Sequence, residues 1–289
     1  MPSTQPSPRL VMNATIAALI ANLAAALPTL LIGDILTGPA AMNGSARGTA
    51  LIMVVLGVPV AAIALWFERR GSWRAPFVLF GAFLYFAYNN FLLLTATPFN
   101  PLFLVYTTSM SLTLLVIALR SIAADPRALA DRLSQLPVRA IAVFAWVVVG
   151  FNVLAWLAKI VPATFAAVPT SYLEGTGLTT NPVFVQDMSF WLPFGALIAW
   201  LLWTRRAWGV FLGGAWLVYG FIEGIGVATD QYLGASADPT STQVSFAIVP
   251  MFLALAALTA VPLYLYFRRA AESPAKFARL GPARQGQPG

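Results

Sequence analysis

The sequence predicts an all-α, polytopic transmembrane helix bundle of about eight spans, and three observations carry that prediction. Eight mostly apolar stretches, each about twenty residues long, fill positions 13–267, the length at which an α-helix crosses the hydrocarbon core of a bilayer. Only 9% of the 289 residues are charged and 59% are hydrophobic, whereas roughly a quarter of a soluble domain is charged. The polar segments between the stretches are shorter than the ~50 residues of a small soluble domain, so one membrane domain, 13–269, accounts for nearly the whole chain.

Spans are expected near 13–32, 48–67, 76–95, 101–119, 141–160, 183–204, 208–228 and 244–267. The first follows Arg9 and its apolar run, Ala14 to Ile32, exceeds the ~7–15 residues of a secretory signal core, which favours an uncleaved span. A long loop, 33–47, precedes the second span, and a tight loop with Arg69-Arg70 separates it from the third. Asn100-Pro101 and Asn181-Pro182 read as an N-cap followed by proline at the first helical position, starting the fourth and sixth spans. Between spans four and five, Asp125-Pro126 begins a short helix. Its Leu129, Leu133 and Leu136 face one way while Arg127, Asp131 and Arg132 face another, which suits a helix in the headgroup region, either a partner-docking element or a connector. The seventh span carries Gly209, Gly213, Gly220 and Gly224 close to one face, a pattern for close backbone packing at the centre of a bundle. Residues 1–12 and 270–289, rich in proline and small polar residues, are expected to be disordered.

Fifteen of the 17 lysines and arginines fall on one side of this arrangement, leaving Arg47 and Lys159 on the other. The positive-inside rule then places both termini in the cytoplasm. The net charge of +7 follows from that topology, and no nucleic acid partner is expected. The chain has no cysteine and no histidine. That removes disulfides, thiolate chemistry, bis-histidine haem, HExxH zinc sites and Ser-His-Asp relays. No catalytic residue, cofactor or metal site is therefore expected, and the chain is read as a non-enzyme whose partner is the lipid bilayer, with a membrane protein or a second copy of the chain as possible further partners.

The two halves share a hydropathy grammar of span, long loop, span, Arg-pair turn, span, short loop and span. Trp66 to Trp73 encloses Arg69-Arg70 as Trp203 to Trp208 encloses Arg205-Arg206, and Tyr85 precedes Asn89 as Tyr219 precedes Glu223. A four-plus-four repeat with four spans per half would be parallel, its axis along the membrane normal.

Glu223 is the residue that most needs an explanation. In a span ending near 228 it lies about 8 Å deep at ~1.5 Å per residue, and intramembrane carboxylates usually face a bundle interior or a wet cavity, where they invite proton or cation coupling. Asn89, Asn90, Asn152 and Asp187 complete the candidate substrate or ion path. Each has a plainer use: the asparagines, with Asn22, as hydrogen bonds between helices, and Asp187 as a complement to a helix N-terminus. Asp34, Glu174, Asp187, Glu223, Asp230 and Asp238 all fall toward the outer side, either as a cation-attracting vestibule or as ordinary charge asymmetry. The loops 33–47 and 161–182 are long enough to fold over the bundle.

Tyr88-Asn89 and Phe99-Asn100-Pro101-Leu102-Phe103-Leu104-Val105-Tyr106 resemble a loose group of bacterial multi-pass membrane proteins with an asparagine in the third span and an FNxLFxxY-like fourth. The resemblance covers about thirty residues. It implies a bacterial cytoplasmic membrane and no particular activity. Two functions fit the residues: a small-solute or ion transporter or channel with Glu223 as the coupling acid, which requires a polar cavity, or a non-catalytic sensor or accessory subunit, which predicts an apolar, glycine-lined groove facing lipid.

Overall fold

The computed structural model describes residues 5–268, and among them it is all-α. Eight helices are long and apolar enough to cross a membrane: α1 (Pro8–Leu31), α2 (Ala40–Arg69), α3 (Ala75–Thr95), α4 (Phe103–Ala123), α6 (Val138–Thr164), α7 (Pro182–Trp203), α8 (Ala207–Ala237) and α9 (Phe246–Arg268). The short α5 (Pro126–Arg132) lies between α4 and α6. The chain is a multi-pass membrane protein. The segments 1–4 and 269–289, and with them the tail expected at 270–289, lie outside the described residues.

Helix ends depart from the sequence reading where local chemistry outweighs hydropathy. α1 starts at Pro8, so residues 8–12 are helical rather than disordered, because the Ser7 side chain accepts the Leu10 N–H at 3.2 Å and Pro8 occupies the first helical position. α2 starts at Ala40, which shortens the expected 33–47 loop and makes helical residues of Gly44 and Gly48. α4 starts at Phe103, because Asn100 Oδ1 takes the Leu102 N–H at 2.9 Å and closes a turn over Pro101. α8 continues past 228 to Ala237 and stops before Asp238-Pro239.

The core is built around α3 and α8, whose apolar stretches are 78% and 72% buried, against 17–39% for the other six. α8 packs against α2, α3, α7 and α9, as its glycine stripe predicts. Gly213 meets Leu202 and Tyr266, and Gly224 meets Ala256 of α9, so the stripe is covered by protein. α1 packs on α4, and α6 packs on α7. Leu129, Leu133 and Leu136 of the α5 segment are buried in the main core, so its apolar side is already occupied.

The halves repeat their irregularities at one spacing. Asn89 and Glu223 are 134 positions apart, and the same offset relates the π-helical turns Met53–Gly57 and Asp187–Trp191, the prolines Pro59 and Pro193 that follow them, and the helix-interior prolines Pro28 and Pro162. It also relates the two Arg-pair turns. Gly71 and Arg205 both sit in the left-handed region, at φ 78° and 55°. Ser72 N–H reaches Phe67 C=O as Arg206 N–H reaches Leu201 C=O, the bond pattern that ends a helix in a Schellman motif. Such a register is what a four-plus-four duplication leaves behind.

Contacts between corresponding residues mark where the two halves meet, because a two-fold axis brings a position onto its own copy. A Cβ at Gly81 would clash with the backbone oxygen of Ala215, its counterpart. Gly81→Ala must therefore separate α3 from α8, and overpacking of this kind costs about 1–3 kcal/mol. We expect a lower midpoint of thermal unfolding for Gly81→Ala. Gly226→Ala, whose Cβ would meet nothing closer than 3.7 Å, is expected to unfold like the wild type.

Candidate functional site

A cavity of about 510 Å³ opens between α2, α3, α6, α7, α8 and α9, in the half of the bundle away from the Arg-pair turns. One stripe of α8 forms its floor. Trp216, Tyr219, Glu223, Val227 and Asp230 recur at helical spacing and all line it. Because α8 runs to Ala237, Glu223 is near its midpoint, 14 residues or roughly 21 Å from that end at ~1.5 Å per residue, not the shallow acid expected from a span ending at 228. Glu223 is half-buried and accepts a hydrogen bond from Asn89 Nδ2 at 2.8 Å. Asn89 also donates to the Tyr85 carbonyl at 3.0 Å, which fixes its amide.

Asp187 enters from α7 as the first residue of the π-helical turn, a distortion that recurs at functional sites. It is buried, and its Oδ2 accepts the Trp156 indole N–H at 2.7 Å. Asn152 lines the cavity from α6 with its amide bonded to the Val148 carbonyl at 2.8 Å. Lys159, exposed and 5.8 Å above the Trp156 ring, is the single basic side chain in the lining.

Asp230 was not among the predicted path residues. It is buried, and the Thr49 hydroxyl lies 3.1 Å from each of its oxygens. Its signal was present in the sequence: it stands seven residues, two helical turns, beyond Glu223, and only the assumed end at 228 hid that both share one face. Among the described residues none of the three acids has a basic partner, the one ion pair being Arg120–Glu68 elsewhere. Nor do any three acidic side chains converge closely enough to hold one metal ion.

Asn90 does not join the path. Neighbouring helical residues point about 100° apart, and Asn90 turns toward α1 and α4. There its Nδ2 donates to Asn22 Oδ1 at 3.0 Å and to Thr113 at 3.3 Å, while Asn22 Nδ2 donates to Thr113 at 3.1 Å. All three residues are fully buried. Asn90→Leu takes the donor from Asn22 Oδ1, whose amide still donates to Thr113 and the Ala18 carbonyl, and a buried acceptor left unpaired costs about 1–3 kcal/mol. The expected result is a lower midpoint of thermal unfolding.

Broken symmetry creates the space. In the first half Gly44 and Gly48 let α2 lie against α8, with the Thr49–Asp230 hydrogen bond between them. At the positions corresponding to Thr49 and Asp230 in the other half stand Val183 and Ala96, apolar residues that make no such bond, and all four line the cavity. Aromatic rings fill the remaining wall. Trp191 stacks on Tyr219 at 4.9 Å and 17°, Tyr88 lies 5.5 Å from Trp191, and Trp156 packs on Phe184 at 4.9 Å. Tyr172, from the segment joining α6 to α7, stacks on Phe184 at the rim.

Comparison with protein-family models, with curated proteins and with solved structures finds no match to this chain.

Proposed function

We propose that this protein is a small-solute transporter of the bacterial cytoplasmic membrane, with Glu223 as the acid that couples solute movement to protons or cations. One observation carries the reading: Glu223 sits at mid-helix in the most central pair of helices, bonded across the repeat to its counterpart Asn89, yet it faces a cavity of ligand size. Ligand sites typically occupy ~300–1,000 Å³, and an intramembrane acid at such a place is a functional hypothesis by default. The Arg-rich face is cytoplasmic by charge bias, so the cavity opens toward the outside. The accessory-subunit alternative anticipates glycines turned to lipid, whereas those of α8 are packed against Leu202, Tyr266 and Ala256.

The test is proton and sodium flux in proteoliposomes loaded with pH-sensitive and sodium-sensitive dyes and challenged with a panel of cationic, neutral and anionic solutes. A solute-dependent flux in wild-type vesicles supports the proposal. Flux indistinguishable from empty vesicles for every solute refutes it.

A further inference from the structure

We infer that the cavity takes an amphiphile whose head carries an ammonium group beside an oxygen acceptor, and that this molecule enters sideways from the bilayer between α6 and α9. The inference rests on the transport reading for its physiological meaning, but it concerns recognition and can be tested by binding alone.

The acids and the rings supply the charge selectivity. Asp187, Glu223 and Asp230 reach the cavity with no basic partner among the described residues, and Lys159 stands at the exposed rim. Three carboxylates too dispersed to hold one metal ion suit a larger, diffuse cation. The Trp191–Tyr219 stack offers faces of the kind that bind organic ammonium groups.

Two unpaired donors supply the second requirement. The Trp216 indole N–H and the Tyr219 hydroxyl belong to cavity-lining side chains only 8% and 9% exposed, and neither has a hydrogen-bond partner. Both donors open onto the cavity rather than being sealed in the core, so they are free to donate to an acceptor oxygen on the bound molecule. An ethanolamine phospholipid and a free long-chain amino alcohol both present an ammonium group a few bonds from oxygen.

The entry route follows from how the halves differ. α1 and α4 pack along one another, whereas α6 and α9, which stand in the same places in the second half, share no packed face. Residues of both line the cavity, among them Phe151 of α6 and Met251 of α9, which are 61% and 48% exposed. A slot with apolar edges lets a tail remain in lipid while the head reaches Asp187 and Glu223.

The experiment is native mass spectrometry of the full chain in phosphatidylglycerol nanodiscs. Separate arms are doped with phosphatidylethanolamine, with sphingosine and with the uncharged N-acetylsphingosine, and one arm receives water-soluble benzyltrimethylammonium. The expected result is one ammonium amphiphile retained per chain, reduced at least ~10-fold in Asp187→Asn, with N-acetylsphingosine not retained. Retention of phosphatidylethanolamine identifies a lipid headgroup as the source, and retention of sphingosine alone identifies a free amine. Equal retention of N-acetylsphingosine overturns charge recognition, and retention of benzyltrimethylammonium alone overturns lateral entry. If no amphiphile is held while solute-dependent flux persists, the ligand class is wrong and the transport reading stands. If neither is seen, both fall. Comparison of sphingosine with its N-acetyl form needs only wild-type protein, so the result does not depend on a variant folding.

Discussion

Glu223→Gln is expected to reduce solute-coupled proton flux to the level of empty vesicles while leaving the protein folded. Glutamine keeps the size of the side chain and an oxygen that can still accept the Asn89 amide, now 2.8 Å from Glu223 Oε2, so the α3–α8 contact survives and only the proton-binding group is lost. Glu223→Asp keeps an acid but withdraws it by one methylene from Asn89, and should retain a reduced flux. Asn89→Leu tests the same contact from the other side. It removes the donor that holds the carboxylate, and flux should fall by less than in Glu223→Gln. Dye-loaded proteoliposomes with matched protein content report all three. Wild-type flux in Glu223→Gln would remove Glu223 from the coupling role and return weight to a non-transporting accessory protein.

Hydropathy made the bundle legible because a bilayer demands the same thing of every span: about twenty apolar residues with internally satisfied backbone. It failed at helix ends, where hydrogen bonds decide. Ser7 moved one start through a single capping bond, and Asn100 moved another by closing a turn ahead of the helix. The polar residues after Val227, which looked like the end of a span, stay helical because Thr49 satisfies Asp230 and the Gly44–Gly48 face of α2 covers that end of α8. That misplaced end hid Asp230 and made Glu223 look shallow. Asn89 and Asn90 show a second limit. They are adjacent and chemically identical, yet one braces Glu223 and the other joins Asn22 and Thr113. Only the rotation of α3 against its neighbours separates them. The repeat was visible as a grammar of loops and Arg pairs, but its constant register needed the π-helical turns and the left-handed turn residues, which leave little mark on composition.

The largest stability effect is expected at the opposite end of the bundle, where Arg120 of α4 meets Glu68 of α2. Arg120 donates to Glu68 Oε1 at 2.8 Å, to Oε2 at 3.1 Å and to the Thr15 hydroxyl at 2.9 Å, tying α1, α2 and α4 together. The partners are unequally buried, at 6% exposure for Arg120 and 31% for Glu68. That inequality sets the prediction. Glu68→Ala leaves a guanidinium stranded inside the fold, and a buried charge deprived of its partner costs about 3–5 kcal/mol. Arg120→Ala leaves a carboxylate that can turn toward water, so its effect should be smaller, about 1–2 kcal/mol, most of the pair's strength being screened on that side. The second half supplies the control. Leu202 stands where the repeat has Glu68 and is fully buried in the core, so an apolar side chain suffices at this place in the fold. The double variant Glu68→Leu, Arg120→Leu should therefore recover most of the stability lost in Glu68→Ala, as buried ion pairs exchanged for apolar residues often do. Thermal unfolding of the purified proteins, followed by their monodisperse fraction in detergent, gives the order wild type, double variant, Arg120→Ala, Glu68→Ala from most to least stable. A Glu68→Ala protein as stable as wild type would mean that Arg120 reaches water by another path and that the pair does not hold these helices together.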